Sequence, residues 1–250
     1  MEPLTRRKLL LGSALAGTGF LPAGAAEGPQ GGKLRVLVAG AHPDDPESGC
    51  GGTIARYTDL GHAVTVLYLT RGEAGIPGRS HQQAADIRTA EAEKACATLK
   101  AKPLFAGQID GRTEVSPARY AAFRRLVGAE RPDVLFTHWP IDTHPDHRAC
   151  SLLAYDAWLA AGKKFALYYF EVNLRGQTQC FRPTHYVDIT AAEPRKRAAC
   201  LAHESQHADT GFYPRYHEKM HQFRGLEGGF RLAEAFAHHD QSPPGRLPGA

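Results

Sequence analysis

No Cys-x-x-Cys pair occurs among the five cysteines, Cys50, Cys96, Cys150, Cys180 and Cys200. That absence excludes the common cysteine zinc sites. The odd number leaves at least one thiol unpaired within a monomer. Cys50, Cys96, Cys150 and Cys200 fall in predicted helices and read as small buried apolar residues. Also missing are internal repeats, a coiled-coil pattern, and any apolar run near the roughly 20 residues that span a membrane. Net charge is low as well: +4 in all, and +2 without Met1–Ala25, which carries Arg6, Arg7 and Lys8 against Glu2. With no basic stripe in the sequence, neither nucleic acid nor an acidic membrane is an expected partner. What remains is an ordinary globular composition, 42% hydrophobic and 22% charged over 250 residues. It suits one sizeable α/β domain with its own core.

The chain is organised around Ala41-His42-Pro43-Asp44-Asp45-Pro46-Glu47, which follows the β-branched run Leu34 to Gly40. Such a run ending in glycine predicts a buried parallel strand. The His and the paired carboxylates then stand where a strand gives way to a helix, predicted from about Gly51 to Asp59. In open α/β sheets that crevice is where ligands bind. Glycines opening a helix after a first strand also suggest a dinucleotide site. The spacing is not G-x-G-x-x-G, however, and two carboxylates repel a pyrophosphate. A second cluster, His144-Pro145-Asp146-His147, follows another predicted strand, Asp133 to His138. Histidines three apart at a helix start share one face. Two imidazoles and a carboxylate suit catalytic zinc and also non-haem Fe(II).

The two motifs, in this order and context, resemble those of the PIG-L/LmbE-like family of zinc-dependent N-acetylglucosaminyl deacetylases. The similarity extends through Leu69-Thr70-Arg71-Gly72-Glu73-Ala74-Gly75, Asp110-Gly111 and His203-Glu204-Ser205-Gln206 to Glu234-Ala235-Phe236. One departure is Pro46, inserted between the paired Asp and Glu47, so no role is carried onto Glu47. The resemblance implies a Rossmann-like three-layer α/β domain over 33–240, with a mostly parallel central sheet flanked by helices. It also implies zinc, with ferrous iron as the alternative, held by His42, Asp45 and His147.

Amide hydrolysis needs help in forming an oxyanion and in expelling an amine, and a bound metal polarises the carbonyl and acidifies its water. Asp44, next to a ligand, is then placed as general base toward the Zn-bound water and as proton donor to the leaving amine. His144, protonated, would stabilise the oxyanion, and Asp146 would orient and charge His144. Arg71, just past a predicted strand end, either reaches substrate oxygens or is a solvated loop arginine. Asp110 either accepts sugar hydroxyls or is part of a D-G turn. Arg88 and Glu91, three apart on a predicted helix, are expected to pair on its surface. His138 reads as a structural strand-end histidine.

The expected substrate is a small molecule or glycoconjugate bearing an N-acetyl group. Two other readings fit the same residues: a non-haem Fe(II) oxygenase using the two-His, one-carboxylate set, and a non-catalytic carbohydrate-binding protein. At the amino end, Thr5-Arg6-Arg7-Lys8-Leu9-Leu10-Leu11 and Ala23-Gly24-Ala25 read as a twin-arginine-type signal over 1–25. The expectation is export, to the periplasm, with no transmembrane segment in the mature chain. Residues 26–32 read as a linker and 241–250, rich in Pro and Gly, as a disordered tail.

Overall fold

The structure, a computed structural model, describes residues 32–172, 176–207 and 211–249. The expected signal and most of the linker lie outside the described residues. Five strands run parallel: β1 (Arg35–Gly40), β2 (Ala63–Tyr68), β3 (Lys102–Phe105), β4 (Val134–His138) and β5 (Ala166–Phe170). After them, β7 (Ala233–His238) lies antiparallel between β5 and the edge strand β6 (His185–Asp188). The order is β3-β2-β1-β4-β5-β7-β6. The three-layer α/β architecture expected above is therefore the observed one.

Alternation along β1 builds both cores. Val36 and Val38 pack with Cys50 and Ile54 of α1 (Asp45–Asp59), Ala92 of α2 (His81–Leu99) and Ala199 of α5 (Glu193–Leu201). Leu37 and Ala39 pack with Phe123 of α3 (Pro117–Glu130) and with Cys150 and Leu153 of α4 (Pro145–Ala160). A strand buried on both faces needs apolar residues at successive positions, which is why β1 reads as a continuous run. The four helical cysteines are buried and free, as their composition suggested.

Chain order places the site. The sheet grows from β1 toward β2 and β3, then resumes on the other side of β1 with β4 and β5. The carboxyl ends of β1 and β4 thus flank the point where strand order reverses, the preferred crevice of this architecture. There α1 begins at Asp45, earlier than predicted, because Pro46 in its first turn is pre-set for a helix start. That turn needs Gly40, since a Cβ there would lie 2.6 Å from the Pro46 ring.

A π-helical turn at Tyr213–His217 and α6 (Glu218–Gly228) precede β7. Two local readings are corrected. The tail is not disordered to Gly249: Leu247 is buried, Tyr57 Oη donates to the Arg246 carbonyl at 2.8 Å, and Gly245 N–H donates to Tyr168 Oη. Arg88 leaves the helix surface and is buried, while Glu91 instead accepts from Ser205 N–H and Oγ at 2.6 and 2.7 Å.

A buried ion pair ties the layers together. Lys196 of α5, fully buried, reaches Glu234 of β7 at 2.5 Å and the Ser48 carbonyl at 2.7 Å. The same carboxylate accepts from Gly52 N–H, Thr53 N–H and Thr53 Oγ1 of α1. Removing it leaves a lysine charge buried and uncompensated. Glu234→Ala is expected to cost about 3–5 kcal/mol in urea unfolding; a cost near zero would mean Lys196 finds another partner.

Candidate active site

The two loops that follow β1 and β4 meet in one cleft of about 510 Å³, lined among others by His42, Asp44, Asp45, Asp110, His144 and His147. Asp45 is its centre. One oxygen of that carboxylate lies 3.1 Å from His42 Nδ1, 3.3 Å from His147 Nε2 and 3.4 Å from His138 Nε2. On its far side, His147 Nδ1 meets Asp142 Oδ2 at 3.3 Å. His42 Nε2 faces Asp110 and Asp146, each at 3.2 Å. Three groups of side chains bring ligand atoms within 4.8 Å of one another: His42, His144 and His147; His42, Asp110, His144 and Asp146; and Asp45, His138 and His147. Asp45 thus contacts both other expected ligands, His42 and His147, and those two imidazoles share a group with His144.

Electrostatics follows from that crowding. Burial alone would push His42 down, yet the Asp110, Asp146 and Asp45 carboxylates outweigh it and hold the ring well above its ordinary value. His147 also resists burial and is raised to about 9 by Asp45 and Asp142. Burial opposes ionisation of Asp45, but His147 and His138 reverse the balance and keep it well below the usual carboxylate range. Asp44 goes the other way: burial raises it, against the pull of the Arg88 guanidinium.

Asp44 sits at φ 114°, a left-handed conformation that costs a non-glycine residue on the order of 1–3 kcal/mol. Two contacts hold it there. Ser48 N–H donates to the Asp44 carbonyl at 2.9 Å. Arg88 reaches its carboxylate at 3.2 Å and also donates to the Pro43 carbonyl. A Cβ on Gly72 or Gly75 would collide with the Arg88 guanidinium, so the glycine-rich loop after β2 makes room for it. Sequence reasoning missed Arg88. Its spacing from Glu91 suggested an ordinary surface pair, and only the fold turns it inward.

Other expected residues stand differently from expectation. Arg71 is turned onto α2, donating to Thr89 Oγ1 and Asp86 Oδ1 at 2.8 Å each, and does not line the cleft. The Asp146 carboxylate does not orient His144. It accepts from Gly111 N–H at 2.8 Å and Thr113 Oγ1 at 2.6 Å and faces His42, because it points back into the loop after β3. His144 is not raised toward its charged form; burial, then His42 and His147, push it down. Its Nδ1 accepts from Asp146 N–H at 3.2 Å, which puts the proton of the neutral ring on Nε2. Asp110 lies in the cleft and also accepts from Ala74 N–H at 3.1 Å. His138, set aside as structural, touches Asp45 while Ala41 N–H donates to its Nε2 at 3.0 Å. Glu47 caps no helix; it accepts from Tyr68 Oη and lies 3.5 Å from His203.

The PIG-L family, described as GlcNAc-PI de-N-acetylase, matches residues 37–158. The fold superposes on the conserved protein TT1542 from Thermus thermophilus with a TM-score of 0.73, at 30% identity, covering 87% of this chain and 99% of that one. The chain belongs to the PIG-L family. Among PIG-L relatives, the diacetylchitobiose deacetylase of Thermococcus kodakarensis is 29% identical over 80% of this chain and 81% of its own length. The 1D-myo-inositol 2-acetamido-2-deoxy-alpha-D-glucopyranoside deacetylase of Rhodococcus erythropolis is 32% identical over 45% of this chain. There the match spans about half of the relative, 49%.

The raised His147 gives a pH test. Its folded value of about 9 exceeds the ordinary 6.5, so its pairing stabilises fully below pH 6.5 and is lost as pH rises through 9. Chelator-treated protein should therefore melt at a lower temperature above pH 9 than at pH 6.5. His147→Gln should flatten that slope. A melting temperature that rises over the interval would contradict the assignment.

Proposed function

We propose that the chain is a metal-dependent hydrolase that removes the acetyl group from an N-acetylated amino sugar, of the N-acetylglucosamine type, or from a conjugate of one. One observation carries the reading. Asp44, a carboxylate that burial makes more basic, lines the same cleft as the His42, Asp45 and His147 donors without belonging to their mutual contacts.

Zinc is the metal proposed. A tetrahedral ion with bonds of about 2.0–2.2 Å keeps its donors roughly 3.4 Å apart. The His42–Asp45 and His147–Asp45 separations, 3.1 and 3.3 Å, fit that spacing. Nitrogen and oxygen donors with no sulfur among them also suit a hydrolytic zinc site. When bound, the ion would supply Lewis acidity to the acetamide carbonyl and to the attacking water.

The remaining work falls to side chains. Asp44 takes the water proton and passes it to the amine nitrogen as the C–N bond breaks. Arg88 keeps that carboxylate in place. His144, neutral, donates its Nε2 proton to the carbonyl oxygen as negative charge gathers there. Asp146 holds His42 rather than His144. Asp110 keeps lone pairs for a substrate hydroxyl after its contacts with His42 and Ala74. Export through the Arg6-Arg7 leader belongs to the same proposal and is supported by the sequence motif.

Asp44→Asn tests the base directly, because asparagine tolerates the left-handed backbone. The variant should keep its metal yet release acetate from N-acetylglucosamine, or from whichever N-acetyl glycan proves best, about 10²–10⁴-fold more slowly. Near-normal release would remove Asp44 from the chemistry. Chelation should abolish release in the wild type and added zinc should restore it; release that persists without metal would sink the proposal.

A further inference from the structure

Only one end of the sheet carries the cleft. At the other end each helix hands over to the next strand, and that end is basic. Lys33 and Arg35 lead into β1, Lys100 and Lys102 into β3, Arg131 into β4 and Lys164 into β5; all are exposed. They line two grooves of about 540 and 520 Å³ that share Arg35 and Pro132. Partial neutralisation comes from Asp133 on Arg35, Glu130 on Lys102, and Asp59 on Lys100, the last already held by Arg195 at 2.8 Å. Among the described residues Lys33, Arg131 and Lys164 have no carboxylate partner.

The helix dipole accounts for part of this, since Lys100 and Arg131 are the residues closing α2 and α3. It does not account for Lys33, Lys102 or Lys164, nor for two adjoining grooves. Apolar side chains are exposed at the same end: Leu60, closing α1, is 46% exposed and Leu159, in the last turn of α4, 40%. Cations interspersed with exposed leucines match a lipid interface. They match single-stranded nucleic acid poorly, because the one Phe, Tyr or Trp lining the grooves, Phe165, is buried and offers no stacking face.

We propose that this end of the sheet docks on an anionic lipid surface. The cations meet the head groups and Leu60 and Leu159 reach their boundary. Strands of five or six residues at about 3.3 Å each then hold the cleft roughly 15–20 Å away. The bound protein presents its active site to solution, and so to substrates that are not embedded in that surface. The sequence showed no basic stripe because the cations come from four separate segments and converge only in the fold.

The test is flotation of the full chain with vesicles of phosphatidylglycerol and phosphatidylcholine, or of phosphatidylcholine alone, at about 50 and 300 mM NaCl. The variant joins Lys100→Asn, Arg131→Asn and Lys164→Gln; asparagine suits the left-handed backbone at the first two positions. Each cation near an anionic surface contributes roughly fivefold to partitioning, so the variant should bind anionic vesicles about a hundredfold more weakly. The wild type should lose most binding at the higher salt, while the variant keeps its melting temperature. Failure of the wild type to float at low salt overturns the proposal. So does binding equal on neutral vesicles or unchanged in the variant, which would assign it to the apolar leader. Retention on duplex DNA without vesicle binding also overturns it.

Discussion

A single carboxylate surrounded by imidazoles sets the constraint on which the structure depends. Asp45 is buried, and a buried charge is tolerated only when paired and hydrogen-bonded. One partner, His42, comes from the same turn, and two come from far along the chain: His138 from the end of β4 and His147 from α4. They meet because β1 and β4 are adjacent parallel strands whose carboxyl ends lie together. The reversal of strand order opens the crevice, and the Gly40–Pro46 approach starts α1 early enough to put Asp45 inside it.

Much of this was legible in the sequence, and the reasons are physical. The strands buried on both faces announced themselves as continuous apolar runs. The His and Asp motifs were legible because ligand chemistry restricts residue type and strand-end placement restricts position. Side-chain direction was not legible. Arg71 and Arg88 are both arginines close to the same loop, yet only Arg88 faces the cleft. Asp146 stands two residues from His144 and serves His42 instead, because the first turn of α4 aims it toward Gly111 and Thr113. His138 looked like any strand-end histidine until β1 was placed beside β4.

Asp44 and Arg88 show how the fold holds the proposed base in place. Left-handed backbone at Asp44 is an energetic cost that a buried guanidinium and the start of α1 offset. The carboxylate is thereby set apart from its neighbour Asp45: one is pushed down by imidazoles, the other up by burial. Two adjacent carboxylates with opposite shifts fit a division of labour between a ligand and a base. The charge elsewhere is divided too, with the cleft at one end of the sheet and uncompensated cations at the other.

The central claim is that one divalent ion joins the two motifs. Its most direct measurement is the anomalous difference map from a crystal of the zinc-loaded protein, collected at the zinc edge. The account places a single strong peak about 2.0–2.2 Å from a nitrogen of His42, an oxygen of Asp45 and a nitrogen of His147. A peak lodged elsewhere, or none at all with those side chains still in direct contact, would contradict it.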